Sequence, residues 1–156
     1  VVEQFDKIPF RGIGAYLTGV LTTAFTYKLP HFSIEIDNEK TIETEAFTVL
    51  ITSTGQLGYN VEFTKNSILN DGKFEITIVK NFDRSKVPNL IYEALYGDIA
   101  SQSMLETHQV NKILKIRTNK IESIQMDGDY KGKTNYIEVT CKKQALNYLV
   151  DKDFKL

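Results

Sequence analysis

Apolar side chains at Ile13, Tyr16, Leu17, Val20, Leu21 and Ala24 recur at the spacing of one helical face, with Pro9 at the entrance, and predict an amphipathic helix over 10–26. From Pro30 the period falls to two. Phe32, Ile34 and Ile36 alternate with polar residues, Asp37 to Lys40 supply a turn, and Phe47, Val49 and Ile51 alternate with Thr48, Leu50 and Thr52, so two strands joined as a hairpin are expected. Gly55 and Gly58 mark an irregular stretch before Phe74, Ile76 and Ile78 set another strand against Glu75 and Thr77. A second helix is expected over 85–96, with Ser85 as N-cap, Pro88 in the first turn, Val87, Leu90, Ile91, Ala94 and Leu95 as its apolar face, and Gly97 just past its end. After it the segments 110–117, 121–126, 134–141 and 145–150 are short, β-branched and aromatic, and separated by turn residues. The fold class predicted is mainly β, an antiparallel β-sandwich or open barrel with two helices. No repeat, low-complexity segment or Pro/Ser-rich linker marks an internal boundary, so 1–156 reads as one domain.

Composition narrows the function classes. Hydrophobic residues at 42% and charged ones at 25% describe an ordinary globular chain, and a net charge of −1 argues against a general polyanion binder, so no nucleic-acid partner is expected. Apolar runs fall short of the roughly 20 residues that span a bilayer; residues 12–25 come nearest and are rich in threonine and glycine. Glu3, Asp6 and Lys7 interrupt the start of the chain before any apolar stretch, which does not fit a signal peptide, and the absence of an initiator Met suggests a piece of a longer chain. The single cysteine, Cys141, continues the alternation of Ile137 and Val139; it is expected to point into the core, and with it a reducing, cytoplasmic compartment. His31 and His108, with one cysteine, leave no zinc constellation and read as surface residues.

Three places hold polar residues beyond what folding requires. In residues 66–76, Asn70-Asp71-Gly72 precedes a strand and reads first as a turn; alternatively the Asp71 carboxylate, with backbone carbonyls and water, supplies the oxygen ligands that Mg²⁺ or Ca²⁺ prefers. Gly55 to Tyr59 carries two glycines three apart, which does not match a phosphate-binding glycine loop; close approach of backbone to a neighbouring domain accounts for it as well. Asp127-Gly128-Asp129 lies between two expected strands. Asp-Gly there is a strong hairpin signal, yet the turn does not need the second carboxylate, nor Tyr130 and the basic loop Lys131, Gly132, Lys133 that follow.

Taken in order, residues 11–21 (RGIGAYLTGVL), 53–63 (STGQLGYNVEF), 70–80 (NDGKFEITIVK), 121–130 (IESIQMDGDY) and 137–150 (IEVTCKKQALNYLV) resemble the C-terminal domain of the diacylglycerol kinase and sphingosine kinase superfamily of soluble lipid kinases. The resemblance runs through nearly the whole chain. It implies a two-domain enzyme in which an N-terminal α/β domain, lacking here, binds ATP, and a C-terminal β-sandwich domain completes the cleft. Such kinases transfer the ATP γ-phosphate to a lipid hydroxyl, and the resemblance places the base at Asp129 and a structural magnesium at Asp71, held also by main-chain oxygens of Ile68 and Lys73. This family's turn usually carries Glu, and Asp129 is one methylene shorter.

Positioning and charge stabilisation dominate phosphoryl transfer, and a carboxylate on a tight turn between strands suits the task of receiving a hydroxyl proton. Without a glycine loop to cradle ATP phosphates, residues 1–156 alone are expected to be inactive. The expected partners are a lipid substrate at a membrane surface, reached by peripheral contact, and a second copy pairing along a free sandwich edge as a homodimer. The competing reading is a non-catalytic β-sandwich module in which both Asp-Gly sites are turns and Tyr59 and Tyr130 contact a ligand. Few cations accompany the helix over 10–26 (Arg11 is the only one before Lys28), so core packing explains it better than a membrane-surface role.

Overall fold

The computed structural model describes residues 25–55, 67–68, 71–143 and 145. Six antiparallel strands form one sheet curled into a half-barrel, so the chain is mainly β as its alternation predicts. Strand β1 is His31–Ile36, β2 Lys40–Thr52, β3 Phe74–Lys80, β4 Leu105–Val110, β5 Ile113–Met126 and β6 Asp129–Thr140, in the spatial order β4-β3-β2-β1-β5-β6. One α-helix, α1 (Val87–Tyr96), lies whole within the described residues, between β3 and β4. The helix expected over 10–26 lies outside them apart from Phe25 and Thr26, which are helical; the strand expected over 145–150 lies outside them apart from Ala145, which is in neither helix nor strand.

β2 belongs to both halves of the curl. Its first half pairs with β1, Ile34 opposite Ile42, and its second half pairs with β3, Ile51 opposite Ile76, with a register shift between Ala46 and Thr48. Such a bulge sharpens local twist and lets one strand turn from one layer into the next. The inward positions of both halves then meet in one core of Phe32, Ile34, Ile36, Ala46, Phe74, Ile76, Ile78, Val110, Leu114 and Ile116. Ile76 is fully buried. Ile76→Val is therefore expected to cost about 0.5–1.5 kcal/mol, one methyl and its cavity, read from the urea midpoint.

Several boundaries differ from the sequence pattern. Residues 110–117 and 121–126 are not two strands: β5 runs unbroken from Ile113 to Met126, and Thr118-Asn119-Lys120 falls at a register shift between Arg117 and Glu122. β4, at the edge of the sheet, carries the mixed sequence LETHQV, whose alternation is too weak to announce a strand. Ser85 does not cap the helix: the N-cap position of α1 is Lys86, which makes no side-chain capping bond. A 3-10 turn, Arg84–Lys86, precedes α1, and the Asp83 side chain accepts the Ser85 N–H at 3.0 Å. Cys141 is exposed and not in the core, because β6 ends at Thr140 and the alternation runs past the last paired residue.

The β1–β2 turn holds a feature that its sequence reads only as a turn. Asp37 (φ 56°) and Asn38 (φ 58°) both adopt left-handed backbone, which Asp and Asn tolerate better than other non-glycine residues. Asp37 is 8% exposed, and its carboxylate accepts the backbone N–H groups of Asn111, Lys112 and Ile113 and the Asn111 side-chain amide, at 2.7–3.2 Å. One side chain thereby ties the β1–β2 turn to the β4–β5 turn. Lys40 Nζ lies 3.3 Å from His108 Nδ1, a contact between β2 and β4 across the curl.

Candidate active site

β5 and β6 outrun β1. Their pairing continues from Glu122 opposite Thr134 to Met126 opposite Asp129, whereas β1 pairs with β5 no further than Phe32 opposite Thr118. The last turns of β5 and β6 therefore project as a two-stranded arm. Its base is braced by the segment entering β1: the Tyr27 hydroxyl donates to Glu122 Oε2 at 2.6 Å, Lys120 Nζ donates to the Lys28 carbonyl at 2.7 Å, and Asn119 Oδ1 accepts the His31 N–H at 3.1 Å. Burial, with the hydrogen bond and charge of Glu122 added, pushes the Tyr27 phenol well above its ordinary range, so it remains a donor at any physiological pH. Tyr27 in turn is held by Arg84, which donates to the Phe25 and Tyr27 carbonyls at 2.9 and 3.0 Å.

Asp127-Gly128 forms the two-residue tip of this arm. Asp127 at φ 50° and Gly128 at φ 91° have the positive dihedrals that a tight turn matched to strand twist requires, so the stretch is a hairpin. Asp129 is the first residue of β6, immediately past the tip. Its side chain is 77% exposed, and Lys131 Nζ contacts Oδ2 at 3.0 Å. The sequence thus delivers a carboxylate to an exposed position on a backbone paired to its neighbour.

Asp71 is placed elsewhere. Its Oδ1 accepts the Lys73 N–H at 2.8 Å, closing a local turn, and Gly72 sits at φ 82° against the Lys143 stem; a Cβ there would come within 2.9 Å of Lys143 Cβ. Lys143 follows the end of β6, so Asp71 and Asp129 flank opposite ends of that strand, a strand path on the order of 35 Å. Ile68 is 55% exposed. The donors expected of a magnesium site, one Asp71 carboxylate with a single oxygen already engaged and the main-chain oxygens of Ile68 and Lys73, are of the hard oxygen type that Mg²⁺ accepts, with one negative charge to hold it. No cluster of three or more His, Cys, Asp or Glu residues able to hold a metal occurs among the described residues.

Other expected positions resolve simply. His31 is exposed and 2.9 Å from Glu43; His108 contacts Glu106 at 2.6 Å. Gly55 lies in a bend, and Gly58 and Tyr59 lie outside the described residues. Tyr130 is 40% exposed, opposite Gln125 on the arm. No helix among the described residues is long and apolar enough to cross a membrane. An open cleft of about 280 Å³ lies between the β3–α1 connection and the start of β4, lined in part by Lys80, Asp83, Lys86 and Met104.

Residues 1–150 match the family model of the YegS C-terminal NAD kinase β-sandwich-like domain. The chain belongs to that family. No curated protein matches the sequence. Among solved structures, the YegS-type domain described here resembles three from Bacillus anthracis strain Sterne. A protein described as a putative diacylglycerol kinase has a TM-score of 0.63 at 20% identity, covering 84% of this chain and 42% of that one. A diacylglycerol kinase follows at 0.61 and 22%, covering 85% and 44%. A further putative diacylglycerol kinase follows at 0.55 and 20%, covering 89% and 46%. At these identities the likeness is one of fold. This YegS-type domain spans less than half the length of each neighbour.

Proposed function

We propose that this domain forms the lipid-substrate side of a diacylglycerol-kinase-like enzyme and that Asp129 is its general base. The observation that carries the reading is the position of Asp129: an exposed carboxylate one residue past a tight hairpin tip, on a domain of this family. In the reaction proposed, the Asp129 carboxylate takes the proton of a lipid hydroxyl as its oxygen bonds to the γ-phosphorus of ATP, and the bond to the β-phosphate oxygen breaks to release ADP. Lys131, 3.0 Å from Oδ2, orients the carboxylate. The remainder of a longer protein would hold the nucleotide. Asp71, with the main-chain oxygens of Ile68 and Lys73, would hold a magnesium ion whose role is to tie the start of β3 together; a divalent cation also neutralises phosphate charge in reactions of this type.

The test is lipid-dependent ATP turnover by the full-length protein with Mg²⁺, with diacylglycerol and a sphingoid base as substrates, beside Asp129→Asn. Turnover that survives this substitution sinks the assignment of the base. Absence of turnover with every hydroxylated lipid sinks the kinase reading and leaves the domain as a ligand-binding module.

A further inference from the structure

The face of the arm that carries Asp129 carries more than a carboxylate. Met126 is its partner in the β5–β6 register, and directly opposite residues of an antiparallel pair share a face with Cβ atoms about 4.5–5.5 Å apart. Met126 is 59% exposed, an apolar side chain left in water beside an acid. Two residues back along β5, Ile124 lies on the same face and is half-buried. Its partner across the ladder is Gly132, at φ 105°, where an added Cβ would meet nothing within 4 Å. At the tip this face therefore presents the Asp129 carboxylate beside Met126, and inward of them Ile124, with the facing strand stripped of side chain at Gly132. The arrangement has the polarity of an amphiphilic alcohol.

We propose that Met126 and Ile124 form a substrate-positioning strip that seats the first carbons of a hydrocarbon chain beside a hydroxyl group held at Asp129. This inference rests on the kinase reading for the role of the hydroxyl, and on the arm's own geometry for the chain. Met126 contributes a flexible, polarizable surface suited to a chain of variable shape. Gly132 leaves room for that chain to lie across the ladder. The strip favours alcohols with a hydrocarbon chain close to the hydroxyl over glycerol itself, which offers the same hydroxyl and no chain.

The two methionines of this chain, Met104 and Met126, allow a direct test. With methionine and isoleucine methyls labelled, dihexanoylglycerol is titrated below the concentration at which it aggregates and followed by NMR; Met126→Leu assigns the Met126 resonance. Met126 and Ile124 should shift together and saturably, Met104 in its separate cleft should not, and glycerol should move neither. Met126→Ser should then weaken the Ile124 titration by about tenfold, and Met126→Leu should keep it within twofold of the parent. An unmoved Ile124 and Met126, a common shift of Met104, or an Ile124 midpoint unchanged in Met126→Ser overturns the strip. The kinase reading fails separately: saturable binding in a protein whose full-length Asp129→Asn form keeps its turnover leaves the strip standing without its base. Loss of turnover in Asp129→Asn, with no methyl shift, leaves the base standing without the strip.

Discussion

Asp37→Ala is expected to lower stability by about 3–5 kcal/mol, seen as a fall in the urea midpoint with little change in slope. The loss has two parts. Backbone N–H groups of Asn111, Lys112 and Ile113 give up a buried acceptor, and the β1–β2 turn must hold alanine at φ 56°, where a Cβ without local hydrogen bonding is disfavoured. Asp37→Asn keeps one acceptor oxygen and tolerance of that dihedral, so its cost should be about half as large. Burial alone would raise the Asp37 carboxyl, but the hydrogen bonds from Asn111, Ile113 and Lys112 outweigh it and hold the group at about 2 instead of 3.8. A lowered folded-state value means that the charged form favours the fold. Its contribution, about 2.5 kcal/mol, is nearly complete above about pH 5 and is lost as pH falls through 2. Parent and Asp37→Ala stabilities should therefore converge by about 2 kcal/mol between pH 5 and pH 2, while Glu43, Asp83 and Glu106, whose carboxyls also lie below their usual range, give both proteins a shared acid slope. Curves that stay parallel across this window would show that Asp37 does not carry the linkage.

Asp129→Glu should raise lipid phosphorylation by the full-length protein by up to about 10²-fold, and Asp129→Asn should reduce it by about 10²–10⁴-fold. The sequence resemblance motivates the first substitution: related turns usually carry Glu, and Asp129 falls short of that reach by one methylene. The exposed position of Asp129 means that a longer side chain meets no packed neighbour that would penalise it. Asn keeps the volume of Asp and the hairpin register but cannot accept the hydroxyl proton, so its effect isolates the chemistry from the fold. Steady-state rates at saturating lipid, with thermal midpoints of all three forms measured alongside, decide the matter. A Glu variant slower than the parent would mean that the arm is tuned to the shorter acid. Equal rates for all three would remove Asp129 from the reaction.

Local chemistry made much of this molecule readable in one dimension. The alternation of Phe32, Ile34 and Ile36 and of Phe74, Ile76 and Ile78 identifies strands because a half-buried sheet rewards period two directly, and these are core residues in the fold. Asp127-Gly128 is legible as a hairpin tip because few residue pairs accept two successive positive φ angles. Pro88 and Gly97 bracket the helix for similarly local reasons. Where long-range pairing chose between local options, the pattern failed. β4 is a strand because β3 offers it a ladder, from Phe74 opposite Val110 to Val79 opposite Leu105. Thr118-Asn119-Lys120 remains inside β5 because His31 and Lys28 hold it there. Cys141 lies outside because its strand runs out of partners at Thr140.

Residue identity alone determined that an acid would stand beside a tight turn at Asp129, since turn chemistry and chain order put it there whatever the rest of the molecule does. Only the tertiary structure decided that Asp37, an unremarked turn residue, is the buried acceptor that joins two turns 74 positions apart in the chain, because its donors come from a distant segment. Only pairing in three dimensions set Gly132 opposite Ile124, because a one-residue bulge between Ile124 and Gln125 shifts the register that the hairpin tip alone would give.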